Sequence, residues 1–453
     1  MKWQDKYRDK LITAKQAAAL ITSGSDVLFA MMDQPKDIML ATAERCGELE
    51  NVTMTSHWVE DFRFLHPGQY PEMGKAFRIK DPMTLRSTRD EVRNKRIDWQ
   101  PTIFGLSNGE RQECADRGRL YHYKDFFFFK LTPPDENGRC SFGPYCWYTP
   151  SACRTAKVKV AEIDPRLTWV NGEYVNLDDI DYLVEAPGVE RSKSEENLGR
   201  TPPPEEYEIS QVIGANAASL IHDGDTVQIG VGTAAEAIMA FMAEKNDLGI
   251  DSEVIYSQTI DLVKRGVITG KKKTHDTGKV TCGNLQLYGY NEPISIKTLE
   301  YVRENPTFLF RDISTQCHVP RIAAQENMVA INNILSVDLL GQVVITHLGS
   351  TPISGPGGQV DFCVGAHYSK GGRSISMLKS TALDGKVSRI VPRFEAGTVI
   401  MIPMVYLDYL VTEFGIANLD CKSRRERAEA VISVAHPDFR DGLRQAAREM
   451  FYP

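Results

Sequence analysis

The sequence predicts an α/β protein with two related domains, each built on an open parallel sheet. Residues 17–44 return as residues 217–244, which indicates a duplication. Within each copy, helix-type and strand-type hydrophobic patterns alternate. A polar, proline-rich stretch separates the two copies. Together these observations predict a duplicated fold with one linker.

The two copies align without a gap. The identities include Ala17, Leu20, Ile21, Gly24, Val27, Ile38, Met39 and Ala43, which return as Ala217, Leu220, Ile221, Gly224, Val227, Ile238, Met239 and Ala243. Chance seldom gives this agreement at a fixed offset. We therefore expect the two domains to share one scaffold.

Each copy predicts the same local structure. An amphipathic helix ends at a glycine-containing turn, and a short apolar strand follows, from Val27 to Ala30 or from Val227 to Gly230. A loop then leads into a second helix with apolar residues at helical spacing. This alternation is typical of a parallel sheet covered by helices.

The stretch between the copies predicts the domain boundaries. Residues 189–197 are mostly charged or polar, and 201–206 contain three consecutive prolines followed by two glutamates. Because this segment has no apolar period, it is typical of a linker. We predict an N-terminal domain over 1–188, a linker over 189–208 and a C-terminal domain over 209–453.

Composition excludes several function classes. The chain has 60 acidic and 53 basic residues and a net charge of −7, so it offers no basic field for a nucleic acid. The first ten residues lack the apolar run of a signal peptide, and no later segment reaches the ~20 apolar residues of a membrane span. The nine cysteines lack metal-ligand spacing, so we expect reduced thiols, no metal and a cytoplasmic protein.

The differences between the two copies indicate where chemistry lies. At the shared offset, Thr53 corresponds to Glu253. Residues 253–256 follow a helix and predict a short strand, and ligands of open α/β sheets bind beyond the carboxyl ends of strands. The carboxylate of Glu253 is therefore a candidate nucleophile.

Two glycine-containing loops in the second copy are candidate ligand contacts. The first comprises Gln228, Ile229, Gly230, Val231 and Gly232, and the second contains Gly355, Gly357 and Gly358. Glycines allow close backbone approach, and their amides can bind phosphate or stabilise an oxyanion. The alternative is a pair of tight turns.

Other notable residues have structural alternatives. The run Phe126 to Phe129 predicts a buried strand, whereas Tyr145, Trp147 and Tyr148 follow a glycine turn and are candidates for an acyl pocket that favours a bulkier or less polar acid. His436 lies at a helix junction, where a structural role is expected. Lys271 to Lys273 are expected in a solvated loop.

Several segments resemble the acetyl-CoA hydrolase/transferase family, near its 4-hydroxybutyrate and butyryl-CoA:acetate CoA-transferases. The resemblance rests on 134–138, 141–143, 249–253, 261–273, 354–362, 411–417 and 436–440. It implies a duplicated CoA-transferase-type fold with Glu253 as the catalytic glutamate. It also implies that the loops of Gln228 to Gly232 and Gly355 to Gly358 contact CoA, and that Lys370 contacts the CoA tail.

The function that this resemblance implies is CoA transfer between a short-chain acyl-CoA and a free carboxylic acid. The implied route passes through an acyl-glutamyl anhydride and a glutamyl-CoA thioester on Glu253. CoA is then a substrate and no cofactor is permanently bound, while a homodimer is implied as the assembly. Two alternatives stay open: an acyl-CoA hydrolase that uses the same glutamate, and a metabolite-binding module without chemistry.

Overall fold

A computed structural model describes residues 2–58, 61–106, 123–186, 204–285 and 296–453. The chain divides into two compact units. The first contains Met1–Ser194, Leu299–Thr315 and Pro352–Gly357, and the second contains Glu195–Thr298, Gln316–Thr351 and Gly358–Pro453. Among the described residues, no helix has the length and apolar character needed to cross a membrane.

The two units differ in detail from the division expected from sequence. Two short segments after residue 209, Leu299–Thr315 and Pro352–Gly357, cluster with the first unit. Residues 189–203 of the expected linker lie outside the described residues, and residues 204–208 belong to a helix that begins at Pro204. Proline suits a first helical position because its fixed φ is already helical and its missing N–H would lack a partner there.

The N-terminal part of the chain alternates strands and short helices. Its strands are β1 (Asp26–Phe29), β2 (Val52–Thr55), β3 (Phe77–Asp81), β4 (Asp98–Trp99), β5 (Phe126–Leu131), β6 (Arg139–Ser141), β7 (Val158–Ile163), β8 (Tyr174–Asn176) and β9 (Tyr182–Glu185). Its helices are α1 (Trp3–Lys6), α2 (Ala14–Ala19), α3 (Lys36–Glu44), α4 (Pro71–Ala76), α5 (Arg89–Arg93) and α6 (Thr149–Thr155). The order β4-β3-β2-β1-β5-β7-β9 forms one sheet with parallel neighbours.

The rest of the chain continues this alternation. Its helices are α7 (Pro204–Ala218), α8 (Thr233–Met242), α9 (Ser257–Lys264), α10 (Ile296–Glu304), α11 (Ile313–Gln316), α12 (Val319–Ala324), α13 (Gln359–Tyr368), α14 (Arg424–Ser433) and α15 (Pro437–Phe451). Its strands are β10 (Thr226–Ile229), β11 (Gly249–Ile255), β12 (Val280–Leu285), β13 (Phe308–Phe310), β14 (Met328–Asn333), β15 (Ser336–Asp338), β16 (Val343–Val344), β17 (His347–Leu348), β18 (Thr351–Pro352), β19 (Arg373–Met377), β20 (Thr381–Ala382), β21 (Val387–Ser388), β22 (Ile390–Val391), β23 (Tyr409–Thr412) and β24 (Gly415–Asn418).

The second unit repeats the topology of the first. Its strands lie in the order β12-β11-β10-β14-β19-β23-β24, with parallel pairs except for the antiparallel β24. In each unit the chain proceeds from a central strand to one side and then returns to the other. The predicted α/β class with two related, mostly parallel sheets is confirmed. Such sheets bind ligands at the point where the strand order reverses.

Apolar residues on both faces hold the first sheet in place. In β5, Phe127 stacks on Phe129 with ring centroids 4.6 Å apart, and Phe126 stacks on Phe128 at 6.3 Å. Residues two apart share one face of a strand, so the two pairs lie on opposite faces. The predicted core role of these phenylalanines is confirmed.

The last two helices have the predicted caps. The Ser423 side chain accepts from the Glu426 backbone N–H at the start of α14, and the Glu426 carboxylate accepts from the Ser423 N–H. The ring of His436 accepts from the Asp438 N–H at the start of α15. His436 thus has the structural role expected of it.

Strand register corrects one comparison between the copies. Asp26 pairs with Thr53 in the first sheet, while Thr226 pairs with Gly249 in the second. Because Asp26 and Thr226 are equivalent in the repeat, Thr53 is equivalent to Gly249. The comparison of Thr53 with Glu253 is therefore wrong. The position equivalent to Glu253 is His57, four residues after Thr53.

Candidate active site

Glu253 lies in β11, near the carboxyl end of the strand. Its neighbours Ser252 and Val254 are buried, whereas Glu253 itself is partly exposed. The parallel sheet places this end of β11 beside the end of β10, where the strand order reverses. This is the part of an open α/β sheet where ligands bind.

The backbone amide of Gly358 faces the Glu253 carboxylate. Gly358 N donates to Glu253 Oε2 at 2.8 Å, and Gly358 is the N-cap residue of α13. The first amides of a helix lack partners within the helix, and the helix dipole places partial positive charge at this end. The arrangement therefore favours negative charge on Glu253.

Gly358 also leaves no room for a side chain. A Cβ at this position would lie 2.7 Å from Glu253 Oε2 and 2.5 Å from the Sγ of Cys317. Both distances are well below van der Waals contact. The close approach of backbone to carboxylate therefore requires glycine at position 358.

The surroundings of Glu253 make its carboxyl group more basic. Burial raises the pKa of Glu253 to about 7, and the hydrogen bond from Gly358 opposes part of this effect. Desolvation disfavours the charged form, while a donor to the carboxylate favours it. At neutral pH the group is therefore divided between its ionised and protonated forms.

Cys317 is a site residue that the sequence interpretation missed. Its side chain is buried, and burial, with the negative charge of Glu253 as the next cause, raises the pKa of the thiol well above its usual value. The thiol therefore remains protonated beside the carboxylate. No motif marks this isolated cysteine, so only its position in the fold brings it to notice.

A buried ionic cluster supports the strand that carries Glu253. Asp251 Oδ1 accepts from Arg321 Nη1 at 2.9 Å and from the amide of Gln316, the residue before Cys317. Lys273 Nζ lies 3.9 Å from Asp251 Oδ2, and His275 Nε2 lies 3.3 Å from it. The cluster thus joins β11 to the segment that contains Cys317.

Two cations, Lys273 and Arg321, lie beside the charge of Asp251. Burial works against ionisation, but Lys273, His275 and Arg321 hold the pKa of Asp251 well below its usual range. Arg321 also donates to Asp276 at 2.8 Å. Asp251, His275 and Asp276 place potential metal ligands within 4.8 Å of one another, yet the guanidinium of Arg321 already bridges both carboxylates.

Lys273 differs from the expectation of a solvated lysine run. Lys271 and Lys272 are exposed, but Lys273 is buried and its Nζ donates to the Ile250 carbonyl at 2.8 Å and to Thr281 Oγ1 at 2.9 Å. The expectation is wrong for this residue. Acceptors on β11 and β12 compensate the ammonium group for its loss of water.

The first glycine loop packs tightly against β14. The side-chain amides of Gln228 and Asn332 exchange two hydrogen bonds, at 3.0 and 2.9 Å. A Cβ at Gly230 would lie 2.3 Å from Asn332 Oδ1, and one at Gly232 would lie 2.3 Å from Asn333 Nδ2. These neighbours leave no room for a side chain, which explains why both positions are glycine. Contact of this loop with CoA stays a prediction.

The remaining residues of this loop have distinct environments. Ile229 is buried, whereas Val231 is exposed and its carbonyl accepts from Asn333 Nδ2 at 2.9 Å. Gly232, with φ of +137°, is the N-cap residue of α8. The Gly230 carbonyl accepts from the hydroxyl of Tyr256, three residues after Glu253, at 2.6 Å. This bond ties the loop to the end of β11.

The second glycine loop divides between the two units. Gly355 and Gly357 belong to the first unit, where a Cβ at Gly355 would lie 2.3 Å from the Pro82 carbonyl oxygen. The Gly357 carbonyl accepts from Phe104 N at 3.2 Å. Among the three glycines predicted here, Gly358 is the one in the second unit with Glu253.

Lys370 is not brought to Glu253. It follows the carboxyl end of α13, while Gly358 precedes the first residue of that helix, and ten helical residues span about 15 Å. Its side chain is 83% exposed, and Nζ lies 3.0 Å from Glu326. A role in holding the CoA tail stays a prediction.

The comparisons with known proteins agree on one family. The N-terminal and C-terminal domain models of the acetyl-CoA hydrolase/transferase family match residues 1–190 and 295–447. A 4-hydroxybutyrate coenzyme A transferase of Clostridium kluyveri is 35% identical, with 100% of each chain covered. A succinyl-CoA:cyclohexane-1-carboxylate CoA transferase of Geobacter metallireducens is 29% identical over 99% of this chain and 97% of the relative. The crystal structure of RipA from Yersinia pestis aligns with a TM-score of 0.86, 30% identity and full coverage of both chains.

Proposed function

The chain belongs to the acetyl-CoA hydrolase/transferase family, and from that premise we propose that it is a CoA-transferase with Glu253 as its nucleophile. One observation carries this assignment. The Glu253 carboxylate lies near the carboxyl end of β11 and accepts a hydrogen bond from the N-cap amide of α13. The substrates are a short-chain acyl-CoA and a free carboxylic acid. CoA enters as a substrate, with no permanently bound cofactor.

The first step is attack by ionised Glu253 on the thioester carbonyl. A carbon–oxygen bond forms, the carbon–sulfur bond breaks, and the products are an acyl-glutamyl anhydride and CoA thiolate. The raised pKa supports this role, because a more basic carboxylate is a stronger nucleophile once ionised. Holding the reactants together contributes further, by about 7 kcal/mol or more.

The second step returns the thiolate to the carbonyl carbon of Glu253. A glutamyl-CoA thioester forms, and the original acyl group leaves as its carboxylate. The incoming acid then attacks this thioester, and the two steps run in reverse to give the new acyl-CoA. Each half of the cycle balances without an oxidant, a reductant or water.

Gly358 suits the stabilisation of charge on the glutamyl group. Its N–H already meets Oε2 of the free carboxylate at 2.8 Å. When that carbon is attacked, negative charge develops on an oxygen of the same group. A preorganised amide of this kind contributes about 3 kcal/mol to the transition state.

The same glutamate also serves an acyl-CoA hydrolase, in which water replaces the acid. We favour the transferase because the full-length relatives described above carry transferase names. A metabolite-binding module would not need the nucleophile. A short-chain acid such as 4-hydroxybutyrate or butyrate, a homodimeric assembly and a cytoplasmic location remain predictions of this proposal.

The test is the intact mass of the protein after brief incubation with acetyl-CoA, in parallel with Glu253→Gln. We expect an adduct of CoA less one water on the wild-type chain, absent from the variant and discharged by added butyrate or 4-hydroxybutyrate. Discharge by water at an equal rate would favour the hydrolase. If the wild-type chain formed no adduct and turnover survived in Glu253→Gln, the assignment would be overturned.

A further inference from the structure

Gln316 is a buried residue of the second unit that binds the strand of the candidate nucleophile. Its side-chain nitrogen donates to Oδ1 of Asp251, which is also buried. Asp251 and Glu253 are two residues apart in β11, so their side chains lie on the same face of the sheet. Gln316 therefore binds the face of β11 that carries Glu253.

The orientation of the Gln316 amide follows from its partner. An ionised carboxylate only accepts hydrogen bonds, so the amide must present its nitrogen to Asp251. The amide oxygen, Oε1, is buried and has no donor among the residues that the structure describes. An unpaired buried acceptor costs free energy that an apolar side chain of similar size would not. The presence of glutamine here is therefore explained by what its N–H holds in place.

The residue held in place is Cys317, which directly follows Gln316. A Cβ at Gly358 would lie 2.5 Å from Cys317 Sγ and 2.7 Å from Glu253 Oε2, so the thiol and the carboxylate flank the same backbone position. After burial, the negative charge of Glu253 is the largest cause of the raised pKa of the Cys317 thiol. The two groups are therefore close enough to affect each other's ionisation.

A buried thiol stabilises the charge of a carboxylate only weakly. The S–H group is a weak donor, and cysteine behaves as a small hydrophobic residue, so it does not replace the water that Glu253 loses. Cys317 is fully buried beside this carboxylate. It thus contributes to the burial that raises the pKa of Glu253 to about 7.

Ionisable groups from several segments pack near Asp251 and Cys317. They are Lys273 and His275 after α9, Arg321 on α12 and Asp361 on α13. The two cations lie beside Asp251, at 2.9 and 3.9 Å from its oxygens. The causes of the pKa shift at Glu253 are instead burial and the hydrogen bond from Gly358. The basicity of Glu253 therefore depends on how the neighbouring segments pack around it.

We propose that Gln316 is a positioning residue for the nucleophile. Its hydrogen bond to Asp251 holds Cys317 against Glu253, and the packed thiol limits the access of water to the carboxylate. When this bond is lost, the segment moves, water reaches Glu253, and the carboxylate becomes less basic. Gln316 acts through Asp251 and Cys317 and takes no chemical part in the reaction. This inference rests on the proposed transferase function, in which Glu253 attacks the thioester.

The kinetic test is the pH profile of kcat/KM with acetyl-CoA and butyrate. Gln316→Met retains the approximate size of the side chain but removes the donor. We expect the acid limb of the profile to move to lower pH by about one pH unit or more, because Glu253 returns toward its ordinary pKa. At pH 8, kcat should fall about 10-fold or more, because the nucleophile is also misplaced.

Gln325→Met is the matched control for this variant. Gln325 is a buried glutamine of the same unit, and its amide nitrogen donates to the Glu326 carbonyl at 3.1 Å. Its replacement should leave the acid limb at the wild-type pH. A loss of folded enzyme lowers the whole profile without moving the acid limb, so the position of the limb separates positioning from stability.

A reciprocal exchange tests the hydrogen bond itself. Asp251→Asn with Gln316→Glu reverses donor and acceptor and retains the total charge of the pair. The acid limb should return at least halfway to the wild-type pH, whereas Gln316→Glu alone sets two carboxylates against each other and should not restore it. An unmoved limb in Gln316→Met, or an exchange that restores nothing, would overturn the proposal.

Cys317→Ser tests the contact between the thiol and the carboxylate. A hydroxyl is a stronger donor than a thiol, so serine beside Glu253 should stabilise the ionised form and move the acid limb to lower pH. Cys363→Ser makes the same change at a buried cysteine of α13, whose Sγ lies 3.0 Å from Ser374 Oγ, and should retain the wild-type profile. Equal profiles for the two serine variants would contradict the role of Cys317.

A titration without turnover separates this proposal from the transferase function. Infrared difference spectra between chains with Glu253 and with Glu253→Gln report the protonation of this carboxyl group at each pH. We expect a midpoint near pH 7 in the wild-type background and a lower one with Gln316→Met. This shift in a protein without CoA transfer would retain the positioning role and reject the proposed function. CoA transfer with equal midpoints would retain the function and reject the positioning role.

Discussion

The N–H of Gly358 and the carboxylate of Glu253 are 2.8 Å apart, and the glycine has no space for a Cβ beside that oxygen. The helix terminus and the strand are far apart in sequence, so their meeting depends on the parallel sheet. The contact joins a candidate nucleophile to a donor for its reacting oxygen.

Gly358→Ala should lower kcat by about 100-fold or more, because the added methyl must displace Glu253 or Cys317 and thereby misplace the amide donor. Steady-state kinetics with acetyl-CoA measures the loss. Gly442→Ala is the control, since a Cβ there meets nothing within 4 Å. Unchanged kcat in a folded Gly358→Ala protein would contradict the role of this amide.

The raised pKa of Glu253 predicts the pH dependence of the reaction. Only the ionised carboxylate attacks the thioester, so kcat/KM should fall about tenfold per pH unit below pH 7 and level off above it. A pH profile from 5 to 9 checks this, with circular dichroism confirming the fold at each point. A profile that stays flat down to pH 5 would show that Glu253 ionises normally.

The same shift predicts a pH-dependent stability difference. A carboxyl group whose pKa is higher in the folded state stabilises the fold below its unfolded value of 4.5, and this contribution is lost as pH rises through about 7. Glu253→Gln remains neutral and avoids the loss. Relative to wild type, its melting temperature should therefore rise between pH 5 and pH 8.

Calorimetric scans at a series of pH values measure this difference. Glu326→Gln removes a carboxylate that lies beyond the far end of α13, beside Lys370, and serves as the control. Its difference from wild type should stay nearly constant from pH 5 to pH 8. A difference for Glu253→Gln that falls with rising pH would contradict the assigned direction of the pKa shift.

The sequence predicts much of the scaffold because the duplication is visible where local patterns dominate. Val27 and Val227 occupy equivalent strands, as the gapless repeat implies. The equivalence fails at the next strand, because the paired residues Asp26 and Thr53 are 27 positions apart in the first unit, whereas Thr226 and Gly249 are 23 positions apart in the second. Loop length changes without altering a sheet, so sequence offset alone could not identify His57 as the counterpart of Glu253.

The candidate site is predictable only in part, for a related reason. Glu253 and the glycine loops carry motifs, whereas Cys317 and Arg321 are single residues in segments without a motif. Their positions depend on packing between strands and helices distant in sequence. Lys370 illustrates the opposite error: it follows a motif-bearing helix closely in sequence, but lies at the other end of that helix from Gly358.

The Asp251 cluster predicts a large stability effect next to the site. Arg321→Met removes the guanidinium that bridges Asp251 and Asp276 and should reduce the free energy of unfolding by about 3 kcal/mol, because the buried carboxylate of Asp251 loses its hydrogen-bonded cation and keeps only the more distant Lys273 at 3.9 Å. Urea unfolding followed by circular dichroism measures it. Asp251→Asn in the same chain should recover part of the loss, since the neutral amide no longer needs a cation. Additive destabilisation in the double variant would contradict direct coupling, and an exposed pair such as Arg444 and Asp441 should change stability by less than about 1 kcal/mol.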